Sequence, residues 1–262
     1  MTLMLRWLLE AQSEGNKSYS DIRSDPTTNF TPFDLKMLAQ STNVMLSGIT
    51  HNNRGVAFLE KGFHDHALAE FKSAAQLLYA FTQELKKDLK DATSPSPPGS
   101  SFTECRPSER PIASTSAFIC STPIIMLGSD QASSSCTIES ASILLNMALT
   151  YHVNSLQANP MHNGIKNAME LYEMAYGLAI QVHGDSRSHK IIVTSLNNVG
   201  LIKYEMGEFG AADRCLKDLT TYINFVKNDV SQGVEMFDAG ELYECMLNAM
   251  ILRNAHHCAG AA

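Results

Sequence analysis

Apolar residues along much of the chain recur three and four positions apart, the spacing that places them on one face of an α-helix. Two such stretches, residues 53–74 and residues 198–219, align without a gap. In the first, the matching positions lie at offsets 0, 3, 7, 12, 16 and 19 and are Gly55, Phe58, Gly62, Ala67, Phe71 and Ala74. In the second, the same offsets hold Gly200, Lys203, Gly207, Ala212, Leu216 and Leu219. The pattern predicts a repeated unit of two helices.

Four positions of this unit have a structural reason. Gly55 lies in the first helix, where the missing side chain lets the second helix approach closely. Ala67 of the second helix is expected to mark the tight contact between the two helices, and Phe71 is expected to fill the space behind it. Gly62 is expected to end the first helix, because glycine readily adopts the left-handed conformation that follows many helix C-termini. The counterparts of these residues in the second stretch predict the same contacts there.

A third copy of the unit lies between the other two. Residues 146–151 supply its first helix, and Ala168, Tyr172 and Ala175 supply its second. The connection between the two helices is eight residues longer than in the first unit, which predicts an extended turn over residues 153–164.

One more amphipathic helix is predicted over residues 239–253. Glu241 and Glu244 lie near its start, where acidic side chains interact favourably with the helix dipole. We expect this helix to cap the stack, since a helical repeat needs a terminal element over its last apolar face.

Regular spacing stops in two parts of the chain. Residues 1–36 hold a short apolar helix and an irregular segment, and they precede the first helix pair at residues 37–91. Residues 92–138 are rich in Ser, Thr and Pro and form an insertion before the second and third pairs at residues 139–262. Within the insertion, residues 118–127 are apolar and β-branched enough for one short strand, and a strand and an irregular loop stay equally open.

The units resemble tetratricopeptide repeats. Residues 171–179 and 194–200 are similar to the longer repeat of kinesin light chains, and Ala168 to Ala212 is 44 residues where the standard repeat has about 34. Lys203 stands where an aromatic residue is usual, no Trp begins a first helix and no Pro closes a repeat. The resemblance implies an all-α fold: a short right-handed α-solenoid of about three helix pairs plus a C-terminal capping helix.

In tetratricopeptide repeats the first helices line a concave groove, and the resemblance implies that three asparagines face it. Asn53, Asn146 and Asn198 each lie two positions before the small residue of their unit. Because a carboxamide has both donors and an acceptor, a row of them can pair with the main chain of an extended peptide whatever its sequence. The other groove positions implied by this register are Asn52, Val56, Leu59, Leu149, His152, Asn197, Leu201 and Tyr204. The alternative is that these asparagines cap or brace neighbouring helices.

Charge and composition narrow the classes of partner. The formal net charge is -7 and no Lys/Arg cluster stands out, which argues against a nucleic-acid partner. No stretch approaches the roughly 18 apolar residues of a membrane span, so no membrane partner is expected. The six cysteines show no paired spacing, which favours a reducing compartment, the cytoplasm or the nucleus.

Catalytic and metal-binding patterns are weak. The chain has no phosphate-binding glycine loop, nucleophile elbow or HExxH motif, so we expect neither an enzyme nor a cofactor. His64 and His66 are two positions apart, which does not bring both rings to one helix face, and they are expected to be exposed turn residues. His256, His257 and Cys258 lack the further ligands of a structural zinc site. No metal is expected.

The function predicted from these observations is that of an adaptor or scaffold whose groove binds an extended peptide or protein partner. The alternative from another class is a structural or self-associating solenoid, a homo-oligomer without a peptide-binding role.

Overall fold

The computed structural model of the protein describes residues 32–91, 105–107, 119–126, 136–157, 162–182, 186–228 and 239–259. These residues form seven helices and two short strands. The helices are α1 (Pro32–Glu60), α2 (His64–Asp91), α3 (Thr137–Gln157), α4 (His162–Ala179), α5 (Ser186–Glu205), α6 (Phe209–Asn228) and α7 (Ala239–Ala259). The strands are β1 (Cys105–Pro107) and β2 (Ile124–Met126), both inside the Ser/Pro-rich insertion.

The helices pack mainly against their neighbours along the chain. The pairs α1/α2, α3/α4 and α5/α6 each form one unit, and α7 packs on α5 and α6. The first helices of the three pairs, α1, α3 and α5, also contact one another in that order, and α5 contacts α7. These four helices form a single inner layer. Strand β2 lies against α1 and α3 of this layer. The all-helical fold is confirmed, whereas the handedness of the stack and the number of repeats stay predictions.

Two ion pairs connect neighbouring helices of the inner layer. Arg187 of α5 donates to Glu139 of α3 at 3.2 Å, and both side chains are buried. Lys190 of α5 bonds Glu241 of α7, and its side chain is only 1% exposed. A buried charge is tolerated only when it is paired, so these contacts restrict how the first helices can be arranged.

The turns inside the first and third pairs have the same geometry. Gly62 and Gly207 both have φ of 78°. The amide of Gly62 donates to the carbonyl of Leu59 at 3.0 Å, and the next amide, Phe63, donates to Phe58 at 2.9 Å. This is the Schellman arrangement, in which a left-handed glycine closes a helix. The prediction that these glycines end the first helices is confirmed.

The predicted close approach of the two helices is confirmed at the other glycines. A Cβ atom built on Gly55 would lie 2.6 Å from Cε1 of Phe71. A Cβ atom built on Gly200 would lie 2.8 Å from Cδ2 of Leu216. Real Cβ atoms do not come this close to other heavy atoms, so each large side chain occupies the space that the glycine leaves free.

Several predicted boundaries were wrong. The eight extra residues of the second pair do not form a long turn, because α3 continues to Gln157 and α4 begins at His162. Leu156 and Ile165 in these added helical ends pack against the core, which favours helix over loop. At the two ends of the described chain, α1 begins at Pro32 and α7 extends to Ala259, beyond the predicted 253.

Candidate functional site

Asn53, Asn146 and Asn198 come from three successive inner helices, α1, α3 and α5, and we call them the asparagine row. They hold a piece of the chain itself, residues 119–126, which we call the groove segment. This segment includes β2 and belongs to the insertion between α2 and α3. One extended stretch therefore crosses the first helices of all three pairs.

Each asparagine of the row pairs with the amide and the carbonyl of a single residue. Asn53 donates to the carbonyl of Met126 at 2.6 Å and accepts its amide at 2.9 Å. Asn146 makes the same two bonds with Ile124, both 2.9 Å long. Asn198 makes them with Cys120, both 3.0 Å long. Each carboxamide thus supplies the two hydrogen bonds that a residue of a neighbouring strand would supply in a β-sheet.

The three paired residues are separated by even numbers of positions. Ile124 and Met126 lie two positions apart in β2, so their polar groups are on one edge of the strand. Cys120 presents its polar groups to the same row through Asn198. The order of the three residues is opposite to that of the helices: the last of them meets α1 and the first meets α5. The other edge of β2 faces β1, where Arg106 lies opposite Ile125 and Pro107 opposite Ile124. Pro107, which has no amide hydrogen, is thereby at a position that needs no ladder bond.

Neighbouring asparagines orient the row. Asn52 donates to the carbonyl of Ile124 at 3.1 Å and to Asn53 at 3.2 Å, while its own oxygen accepts from Asn146 at 3.0 Å. Asn197 plays a related part, because it donates to the oxygen of Asn198 at 2.9 Å. These bonds determine which end of each carboxamide carries the donors, and so which end meets the carbonyl of the segment.

Three participants in the site were not predicted from the sequence. Asn248 of α7 donates to the oxygen of Asn197 at 3.3 Å and continues the amide network into the capping helix. The hydroxyl of Tyr172 accepts the second N–H of Asn198 at 3.0 Å. The groove segment itself was considered for a strand but not as the occupant of the groove. The signal for Asn248 was available, since it lies inside a helix already predicted to join the stack.

Apolar burial also holds the groove segment in place. Ile124 and Met126 are 0% exposed and belong to the common core, and Ile119 is buried as well. Burying each large side chain contributes about 1.5–3 kcal/mol. Ile125 is half-buried, as expected for the residue that points the other way. No charged residue occurs between positions 119 and 126.

His152 and Tyr172 form a buried pair next to Asn198 of the row. The Nδ1 atom of His152 lies 3.4 Å from the hydroxyl of Tyr172, and none of the described residues forms a hydrogen bond with its buried Nε2 atom. Burial lowers the pKa of His152 to about 4. Burial also raises the pKa of Tyr172, against the opposing effect of its bond from Asn198. Both groups are therefore neutral near pH 7, which suits a site made of uncharged amides.

Most of the other residues that were predicted to line the groove are buried in the core and are not exposed on a groove surface. Their side chains are at most 3% exposed: Val56, Leu59, Leu149 and Leu201. Tyr204 is half-buried and packs edge-on against Phe209, with 5.2 Å between ring centroids. These residues support the inner helices, whereas the asparagines supply the polar contacts.

His64 was predicted to be an exposed turn residue, and this is wrong. It begins α2, is 9% exposed, and its Nε2 atom lies 3.0 Å from Oε1 of Gln157 on α3. His66 is exposed, with its ring 5.4 Å from that of Phe58. The side chains of His256, His257 and Cys258 lie outside the described residues.

The described part of the chain contains no candidate metal site and no candidate membrane-spanning helix. Within it, no cluster of three or more His, Cys, Asp or Glu could hold a metal ion. None of the helices described there combines the length and apolar character needed to cross a bilayer.

No protein-family model, no curated protein and no solved structure matches this chain.

Proposed function

We propose that this protein is a protein-interaction module whose asparagine row binds an extended peptide through its main chain. The observation that carries the proposal is the pairing of three carboxamides, each with both polar groups of one residue in the groove segment. Main-chain pairing of this kind supplies affinity without a sequence requirement, and apolar pockets at alternate positions supply selectivity. The helix pairs, with their glycine turns and close glycine contacts, support a relationship to tetratricopeptide repeats of the kinesin light-chain type.

The groove segment indicates what a partner should look like. An equivalent peptide is extended, carries no charge, and has large apolar side chains at two alternate positions, as Ile124 and Met126 do. It also has a small residue four positions before the first of these, in the place of Cys120. A role in a reducing compartment, the cytoplasm or the nucleus, is proposed from the sequence, because the six cysteines show no paired spacing.

A partner of this kind competes with the groove segment. A tethered segment acts at an effective concentration of about millimolar, so the unmodified protein should bind a free peptide only weakly. Weakening the tethered segment should expose the row and allow binding in trans.

The experiment uses a fluorescent peptide with the sequence of residues 119–126. The full chain carrying Ile124→Asp and Met126→Asp should bind this peptide in an anisotropy titration, and the peptide should raise its Tm. The control is Ile125→Asp, which places one such charge on the half-buried side of the segment and should leave the peptide excluded. A peptide with Asp at the two equivalent positions should not bind.

The proposal fails if the double variant is folded and the peptide neither binds nor raises its Tm. If the double Asp variant does not fold, the pair Ile124→Ala and Met126→Ala repeats the test with a smaller loss of apolar burial. Adding Asn146→Ala to whichever variant binds should abolish binding, since it removes the central pair of bonds.

One observation favours the alternative of self-association. Tyr243, Leu247 and Met250 lie four and three positions apart on α7 and are 65%, 41% and 54% exposed. Such a stripe on one face of a terminal helix could pair with the same stripe of a second copy. Light scattering over a range of concentrations tests this: a dimer that Leu247→Glu dissociates supports the alternative, and a monomer throughout excludes it.

A further inference from the structure

Two cysteines from distant parts of the chain meet where the groove segment reaches the capping helix. The Sγ atoms of Cys120 and Cys245 are 2.7 Å apart, although the residues are 125 positions apart in the sequence. Cys120 is the residue whose amide and carbonyl are held by Asn198. Cys245 lies on α7 and is 1% exposed. The contact therefore joins Cys120 to α7, whereas the main chain of Cys120 is bound by Asn198 of α5.

We propose that Cys120 and Cys245 form a reversible disulfide that fastens the groove segment to α7. A covalent S–S bond is about 2.05 Å long, so the two sulfur atoms lie within about 1 Å of bonding distance. Formation of the bond is independent of the function proposed above, but its consequence for partner binding rests on that function.

The two thiols differ in ways that set the order of the reaction. Cys120 is half-buried, whereas Cys245 is only 1% exposed. The hydrogen bond with Cys120, followed by burial, raises the pKa of Cys245. Since the thiolate is the attacking species, Cys120 is the first to react and Cys245 the second.

The oxidant is a small-molecule disulfide, for which oxidised glutathione serves as the probe. The sulfur of Cys120 attacks one glutathione sulfur, the glutathione S–S bond breaks, and one glutathione thiol leaves with the proton of Cys120. Cys245 then attacks the sulfur of Cys120 in the mixed disulfide, and the second glutathione leaves as a thiol with the proton of Cys245. Two protein thiols are oxidised while one glutathione disulfide is reduced to two thiols, so atoms and electrons balance.

The disulfide would change how the segment can leave the groove. In the reduced protein the segment is held by hydrogen bonds and apolar contacts, all of which a competitor can replace one at a time. With the bond closed, Cys120 remains beside Asn198 whatever happens to Ile124 and Met126. Partner binding across all three asparagines would then require prior reduction.

The test equilibrates the full chain in glutathione buffers of increasing oxidised fraction, followed by alkylation of free thiols and peptide mass mapping. A Cys120–Cys245 linkage should appear, disappear in Cys120→Ser and Cys245→Ser, and persist in the control Cys215→Ser. Hydrogen exchange at the amides of residues 119–126 should be slower in the oxidised wild type than in the reduced protein. Oxidation should not slow this exchange in Cys245→Ser, where Cys120 can form only the mixed disulfide with glutathione.

Three outcomes would overturn the proposal: Cys120 that stays reduced, Cys120 that stops at the mixed disulfide with glutathione, or exchange in the segment that oxidation does not slow. None of these readouts uses the free peptide, so failure of the proposed peptide binding and failure of the disulfide are distinguishable.

Discussion

The carboxamide of Asn146 and the main chain of Ile124 form a closed pair of hydrogen bonds, each 2.9 Å long, between residues that are both 0% exposed. The same carboxamide also donates to Asn52 at 3.0 Å, so both of its N–H groups are used. Asn146 is thus the central connection between the inner helices and the groove segment.

Replacing Asn146 by Ala should destabilise the protein by about 2–3 kcal/mol, because the buried amide of Ile124 loses its acceptor. Asn53→Ala serves as comparison: Asn53 is half-buried, water can replace it, and the expected loss is about 1 kcal/mol. Urea unfolding measures both, and hydrogen exchange at Ile124 should rise only in the first variant. Equal losses in the two variants would contradict the assigned central role.

Gly55→Ala should destabilise the protein by about 1–3 kcal/mol, since the new methyl group would enter the space of the buried Phe71 ring. Gly200→Ala should cost less, because the atom it meets is the end of the more flexible Leu216 side chain. Combining Gly55→Ala with Phe71→Leu should cost less than the sum of the two single changes in denaturant unfolding. Additive losses would show that the clash is relieved elsewhere.

Gly62→Ala should cost about 1–2 kcal/mol for a different reason. The added Cβ has open space around it, but the backbone φ of 78° is unfavourable for a residue with a side chain. Gly210→Ala is the matched control, because Gly210 lies in α6, no atom lies within 4 Å of its added Cβ, and Ala favours helix. Thermal unfolding should show a lower Tm for the first variant and an unchanged or higher Tm for the second.

His152 should make the protein less stable in mild acid. Its pKa is about 4 in the folded protein, below the value of about 6.5 in an unfolded chain, so the unfolded state binds more protons between these values. Its contribution is fully present above pH 6.5 and is lost as the pH falls toward 4, by about 3 kcal/mol in total.

The variant His152→Leu tests the direction of this pH dependence. Leu is the replacement because Leu59 occupies the matching position of the first pair. Urea unfolding at several pH values should show that the difference in stability between the wild type and the variant changes over pH 4–6.5 and is constant above it. A difference that stays constant over the whole range would show that His152 is not the titrating group.

Most of the local architecture was predictable from residue spacing. The contact of Gly55 with Phe71 and the turn at Gly62 follow from fixed offsets within one pair, where helical geometry determines which residues meet. The longer α3 and α4 were not predicted, because residues 153–164 contain Pro160 and lack the offsets found in the other pairs. The burial of His64 was also missed, since its partner Gln157 lies in the next pair.

The sequence by itself determined the helix pairs, their register and the common position of the three asparagines, because each depends on residues within about one repeat of one another. Only the tertiary structure decided what those asparagines hold. Cys120, Ile124 and Met126 are bound through their main chains, which are the same in every residue, so no side chain identifies them as the occupant. Their pairing requires α1, α3 and α5 to lie side by side, and that alignment exists only once the inner layer has formed.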